Sequence, residues 1–385
     1  MIVKLTNQAL AYAWGSKTLI SDFFGISPTG EPMAEIWFGT HPGSPTEVMG
    51  SNSSLEQILV DAGKEKLPFL LKILAAEAPL SIQAHPNPSQ AIEGFARENQ
   101  QGIAISDPAR NYKDDKAKPE MIVALSENFE ALVGFSDQRL VQERFEELLE
   151  LGPSEKLSTL LRSWLEILDD KDGIEQVFLD TLTNPEMDER VVSDLVDCAE
   201  QAPALVDLVS HLTTHHGFDR GVVSALLLNH VSIHAGEALF VPAGMPHAYL
   251  SGLGVEVMLA SDNVLRGGLT PKHIDVAELS KVLVFESHEV STVLKRELAV
   301  GLKQFEIPVE EFTFYQVNLS STNLLIDLNL PGDAILLCVG GSIAVSNSLA
   351  EREVVNKGEA VFISKDAKMF SLTGSGEAYL AISSN

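Results

Sequence analysis

Gly236-Glu-Ala-Leu-Phe-Val-Pro-Ala-Gly-Met-Pro-His247 returns in altered form as Gly358-Glu-Ala-Val-Phe-Ile-Ser-Lys-Asp-Ala-Lys-Met369. Each copy is a Gly-Glu turn feeding an apolar run of strand type. The pair, set among short β-type runs, is expected of two related antiparallel β-barrels. In the first copy Pro242, Gly244 and Pro246 stiffen the chain just before His247, so the imidazole is presented from a fixed turn. In the second copy the histidine position is Met369. One copy keeps polar chemistry and the other reads as structural.

The first copy continues through Glu256, Ser261-Asp-Asn263, Arg266 and Lys272, in a stretch otherwise built of apolar, Gly and Pro positions. Ionisable groups in such surroundings are costly to hold unless they bind or react with something. The segment reads as the wall of an active site.

Working outward, residues 1–135 show a mixed pattern with β-type runs at Phe69–Leu74 and Met121–Leu125. The texture then changes. Leu157, Leu160, Leu161, Trp164, Leu165 and Leu168 form the apolar stripe of an amphipathic helix, as do Val141, Phe145, Leu148 and Leu149 upstream of Gly152-Pro153. β-type runs resume at about Gly221, apart from a helix expected near Pro271–Leu283. The expected organisation is mainly β with a helical insertion. Residues 1–135 and 218–290 make one discontinuous domain, 136–217 the insertion and 291–385 a second β domain without a metal site.

With 385 residues, 45% hydrophobic and 21% charged, the composition is that of a soluble globular protein of more than one domain. No stretch has the apolar length of a membrane span, and Met-Ile-Val-Lys-Leu-Thr-Asn lacks a signal-peptide layout, so a cytoplasmic location is expected. The net charge of −27 argues against a nucleic-acid partner, whose affinity comes from Lys and Arg on phosphates. A small anion is not excluded, because a local basic cluster dominates within a Debye length of about 8–10 Å. Cys198 and Cys338 sit in apolar runs and are read as filling core space.

A second polar cluster is Ser81-Ile-Gln83-Ala-His85-Pro86. In a strand, Ser81, Gln83 and His85 share one face at intervals of roughly 7 Å, and Pro86 ends the run. A third is Lys118-Pro119-Glu120, where Pro119 holds Lys118 extended and Glu120 precedes an apolar run. Two imidazoles (His85, His247), the Glu120 carboxylate and the Gln83 amide oxygen make a divalent-metal shell that suits zinc best, with Mn, Fe and Co also compatible. His211 and His215 have chelating i, i+4 spacing, but they adjoin His216-Gly217 and are read as helix C-terminal residues. His41, His230 and His234 are read as satisfied or surface residues.

The Pro242–His247 turn resembles the histidine turn of the cupin superfamily. Over nearly the whole chain, the sequence resembles the type I phosphomannose isomerases. The resemblance is carried by Tyr12-Ala-Trp14-Gly15, Ala34-Glu-Ile-Trp-Phe-Gly-Thr-His-Pro42, Leu80–Pro86, Asn111–Glu120 and His247–Lys272. It implies two cupin-like jelly-roll barrels plus a helical domain, one zinc ion per chain, and interconversion of mannose 6-phosphate and fructose 6-phosphate. Gln83, His85, Glu120 and His247 match the family's zinc ligands, and Arg266 its active-site arginine. Where the family usually has Asn-His before Lys-Pro-Glu, this chain has Lys116-Ala117, and Arg266-Gly-Gly replaces Arg-Ala-Gly.

Isomerisation through an enediol requires removal of a weakly acidic C–H beside a carbonyl. Arg266 is expected to stabilise the enediolate, and Lys118 and Glu256 to move protons. A lysine close to a dication and an arginine is expected to have a depressed pKa, which suits a base. Ser81 and Lys72, with Lys272, are expected to hold the phosphate, and Trp14 to wall the sugar. The expected protein is a monomer acting on a small phosphosugar. The alternatives are a same-fold isomerase of another aldose phosphate, a metal cupin oxygenase that uses iron or copper, and a sugar-binding bicupin.

Overall fold

Strand His247–Leu259 is buried along nearly its whole length, as its almost unbroken apolar sequence requires of a strand covered on both faces. In the computed structural model, which describes residues 1–320 and 325–384, this strand organises one antiparallel sheet. That sheet runs in the order Leu265–Gly268, Ile82–Ala84, His247–Leu259, Phe69–Ala76, Glu35–Phe38. Strands Glu120–Ala124, Asn128–Phe135, Leu228–His234 and Ala238–Val241 pair alongside. A second antiparallel sheet gathers the strands from Lys295 to Ser383 and adds two from the start of the chain, Ile2–Thr6 and Glu47–Val48. Ile2–Thr6 pairs with Ala360–Ile363, Ile2 opposite Ile363. The segment 291–385 also contains 321–324 and 385, which lie outside the described residues.

Alternation along the strands decides what faces what. Phe69, Leu71, Ile73, Val255 and Val257 pack against Phe305, Phe312, Phe314, Ile335 and Tyr379, forming a core shared by the two sheets. Leu70, Lys72, Leu74, Glu256 and Met258 therefore point the other way, into a small chamber.

Helices fill the middle of the chain. Gln138–Glu150 begins at Asp137, whose side chain accepts from Arg139 N, and Glu155–Ile167 begins at Ser154, which accepts from Leu157 N. Val141, Phe145, Leu148, Leu157, Leu160, Leu161, Trp164 and Leu168 are buried in one cluster, while Leu149 and Leu165 are half-buried at its margin. Helices Gly173–Thr183, Glu189–Ala199 and Val206–His216 complete this region. The helix expected near 271–283 is Val276–Val282, capped by Asp275 onto Glu278 N.

Three local differences from the sequence reading have clear causes. Gly221–Ala225 is a short helix, and the first strand after it is Leu228–His234. Val222 and Val223 have β-type side chains, but both are buried in the helical cluster. A Cβ on Gly221 would lie 2.2 Å from Leu269 N, so this turn is fixed by tertiary packing. Helices Leu19–Phe24, Leu55–Asp61 and Pro88–Gln100 interrupt the mixed first third; the last opens on a capping box between Asn87 and Gln90. Met369 is half exposed at the start of its strand, so it fills no core position equivalent to that of His247. Cys198 and Cys338 are buried free thiols. Among the described residues no helix is long and apolar enough to cross a membrane.

Candidate metal centre and substrate cavity

Sheet register assembles the site. His247 lies opposite Gln83, and Gln83 lies opposite Arg266, so the three form one cross-strand row. A second row is Trp37, Lys72 and Glu256, and Glu120 lies opposite Met258 in the next register position of that face. The turn before His247 is held from the far side. Gly244 N donates to the carbonyl of His85 at 2.8 Å, and Val284 N donates to Gly244 O at 3.0 Å. Gly244 has φ 81°, and a Cβ there would meet Val284 Cγ2 at 2.7 Å. The position therefore requires glycine on both backbone and steric grounds.

His85, Glu120 and His247 are buried, and one ligand atom from each lies within 4.8 Å of the others. The imidazole Nδ1 atoms are engaged: that of His85 at 2.7 Å from Asn263 O and that of His247 at 3.1 Å from Met245 O. A carbonyl can only accept, so each Nδ1 carries the proton and each Nε2 presents a lone pair. Those Nε2 atoms lie 3.4 Å and 3.3 Å from Glu120 oxygens and have no hydrogen-bond partner among the described residues. Burial, reinforced by Lys118, lowers the His85 pKa to about 4, so the ring is neutral near pH 7. Burial alone would raise Glu120, but the Lys118 ammonium beside it outweighs burial and holds the carboxyl well below its ordinary range. Two lone pairs and a carboxylate directed at one point fit a divalent cation. The donor set of two nitrogens and one oxygen, with the Gln83 amide alongside, suits zinc.

Lys118 Nζ lies 2.7 Å from Glu120 Oε1, so the expected proton-transfer lysine is at the edge of the centre. Below it, a chamber of about 210 Å³ is lined by Glu35, Trp37, Lys72, Lys118, Glu120, Tyr249 and Glu256, among others. Lys72, expected on sequence grounds to bind phosphate, is differently engaged. Its ammonium is 2.8 Å from Glu256 and 3.3 Å from Glu35 and lies over Trp37, and the residue is only 5% exposed. Burial opposes that charge, but the two carboxylates outweigh it and push the lysine pKa up. One ammonium cannot fully compensate two carboxylates, and burial pushes the Glu256 carboxyl up.

Tyr12, Leu80 and Gln83 line both this chamber and an outer cavity of about 580 Å³. The outer cavity brings together Trp14, Ser81, Arg266 and Lys272. The rings of Tyr12 and Trp14 stack with centroids 5.7 Å apart. Burial lowers the Arg266 pKa, and burial with Arg266 lowers that of Lys272. Among the described residues no carboxylate offsets either cation. In a chain of net charge −27, this is a local basic site.

His215 and His216 also line the outer cavity, from the end of helix Val206–His216, and His216 Nε2 contacts Pro79 O at 2.9 Å. His211 is half-buried in the same helix, with its ring 5.3 Å from that of His215. His41 is buried and paired with Asp262 at 3.2 Å beside the chamber, whereas His230 and His234 are on the outer strand Leu228–His234. The sequence reading passed over Glu35, Tyr249 and Asn263. Glu35 carried a usable signal, a lone acid inside the apolar run Ala34–Phe38, of the kind that singled out Lys72. Ala117, where the resemblance leads one to expect histidine, is buried, and the exposed Lys116 contributes its carbonyl to a hydrogen bond from Asn263.

A family model described as phosphomannose isomerase type I, catalytic domain, matches residues 2–138. The chain is 35% identical to the mannose-6-phosphate isomerase of Salmonella typhimurium and 34% identical to that of Escherichia coli, with 97% of both chains covered in each case. Among solved structures, a mannose 6-phosphate isomerase bound with zinc and yttrium superimposes with a TM-score of 0.88 at 32% identity, covering 100% of both chains. The apo form of the Salmonella typhimurium enzyme also gives 0.88 at 32% identity, covering 100% of this chain and 99% of that one. The site's geometry and these likenesses agree: the chain belongs to the type I mannose-6-phosphate isomerase family.

Proposed function

We propose that this protein is a zinc-dependent aldose–ketose isomerase that interconverts mannose 6-phosphate and fructose 6-phosphate through an enediol, in the cytoplasm and as a monomer. The carrying observation is the pair of buried imidazole lone pairs beside Glu120, next to a cavity with two cations, Arg266 and Lys272, that no carboxylate among the described residues offsets. Its relatives are mannose-6-phosphate isomerases, and the zinc-bound state of one solved neighbour fits this donor set. In finer detail, residues 1–135 with 218–290 form the catalytic cupin domain, 136–217 a helical domain, and 291–385 a cupin-like domain completed by strand Ile2–Thr6.

Gln83, His85, Glu120 and His247 hold the metal. Bound there, zinc supplies a Lewis acid toward the substrate's carbonyl oxygen. Arg266, on the same cross-strand row as Gln83, stabilises the negative oxygen of the enediolate. Lys118 and Glu256 exchange the proton between C1 and C2; burial raises the Glu256 pKa and so makes its carboxylate a stronger base than an exposed one. Lys72 keeps Glu256 and Glu35 from facing one another uncompensated and so sets the charge of the chamber. Lys272 and Ser81 receive the phosphate at the outer cavity, while Trp14 stacked on Tyr12 walls the sugar.

The test is turnover of mannose 6-phosphate by chelator-treated and zinc-reloaded protein, with metal content measured on the same samples. Activity that returns in proportion to zinc supports the reading. Full turnover without metal overturns it. Oxygen uptake with an iron-loaded sample would favour the oxygenase alternative.

A further inference from the structure

Asn263 is fully buried beside the site, yet unlike its neighbours Asp262 and Val264 it does not line the chamber. Its side chain faces the loop that leads to Lys118 and Glu120. Asn263 Oδ1 accepts from Lys113 N at 2.7 Å and from Asp114 N at 3.2 Å. Its Nδ2 donates to Asp114 O at 2.9 Å and to Lys116 O at 2.8 Å, with Asp114 Oδ1 at 3.3 Å. Two backbone donors and two backbone acceptors thus match the two ends of the amide, which fixes its orientation. The same residue's carbonyl accepts from His85 Nδ1 at 2.7 Å.

We propose that Asn263 is a positioning residue that joins the His85 imidazole to the 113–116 loop and, through both, sets the spacing of His85 and Glu120 at the metal centre. The inference rests on the metal reading given above. The carbonyl fixes the tautomer and ring direction of His85, and the amide fixes the loop whose continuation carries the carboxylate. Ser261 and Asp114 reinforce the clasp. Ser261 Oγ donates to Asp114 Oδ1 at 2.8 Å, and Asp262 N donates to Asp114 Oδ2 at 2.9 Å. Aspartate at 263 would keep the shape, but it would turn an oxygen toward the carbonyls of Asp114 and Lys116.

The experiment compares wild type with Asn263→Asp and Asn263→Ala. It measures the zinc dissociation constant by competition with a chromophoric chelator and the visible spectrum of the cobalt-substituted protein. Both variants keep the main-chain carbonyl that holds His85 and lose only the grip on the loop, so zinc binding is expected to weaken by about tenfold, the lower end of the range for groups that orient metal ligands, and the cobalt bands to shift. At saturating zinc, kcat should fall while KM for the phosphosugar changes little, because the outer cavity is untouched. Zinc affinity within twofold of wild type with an unaltered cobalt spectrum overturns the inference while leaving the metal reading in place. A wild type that takes up no zinc removes both. If neither Asn263 variant folds, Asp114→Ala serves: a several-fold loss of zinc affinity supports the clasp, and an unchanged affinity overturns it.

Discussion

Replacing Lys72 with methionine separates two roles for this residue, phosphate ligand and internal counter-ion. The lysine is 2.8 Å from Glu256, 3.3 Å from Glu35 and 5% exposed. Removing one partner of a buried pair leaves an uncompensated charge and costs about 3–5 kcal/mol. With an unfolding entropy of roughly 2 cal/mol/K per residue, a cooperative chain of 385 residues should lose about 4–6 °C in Tm. The loss has a pH signature. Burial already raises the Glu256 carboxyl, and without the ammonium it rises further. The folded protein then holds a proton that the unfolded chain releases, so stability falls as pH rises from the unfolded carboxyl range through the folded pKa. The deficit relative to wild type should therefore be smaller at pH 5 than at pH 8. Thermal melts of chelated protein at both values measure this. The double variant Lys72→Met with Glu256→Gln should recover at least half of the loss at pH 8. Melting within 1 °C of wild type at both pH values, with only KM raised, would refute the counter-ion argument and restore the phosphate role.

His247→Ala should lose bound zinc and activity together, read by elemental analysis and turnover on one sample. Arg266→Ala should retain stoichiometric zinc and an unchanged melt while turnover falls by roughly two to three orders of magnitude, the scale of an oxyanion-stabilising group; loss of zinc there would undo the division of roles. Lys272→Ala should raise KM for mannose 6-phosphate by roughly tenfold, the worth of one charge-assisted hydrogen bond of about 1.5 kcal/mol, with kcat little changed in steady-state assays. Burial pushes the Cys338 thiol up to about 11, and Cys198 is buried as well, so an aromatic disulfide reagent should label neither before denaturant is added.

What could be read in advance follows the range of the forces involved. The apolar stripe from Leu157 to Leu168 is a local pattern, and it became the buried side of helix Glu155–Ile167 and its C-cap Leu168. His85, Glu120 and His247 stood out because polar groups in apolar runs need a reason, and the structure brings them within 4.8 Å of one another. Lys72 stood out for the same reason. Its two carboxylate partners come from strands Glu35–Phe38 and His247–Leu259, on either side in the sheet, and only register reveals them. Val222 and Val223 misled because β-type side chains were recruited into a helical cluster. Asn263 was not legible at all. An asparagine between strands usually signals a turn, and its amide acts on a loop far upstream in sequence.

The pairing of Ile2–Thr6 with Ala360–Ile363 bears on how the molecule is made. The ribosome releases this strand long before its partner, which lies far downstream in the sequence. Until then Ile2 and Leu5, destined for full burial, remain without their neighbours. Closing so long a span is slow, because chain entropy must be given up before the contact is gained. A strand made early is thus paired late, and in the interval its apolar side is open to the wrong partners.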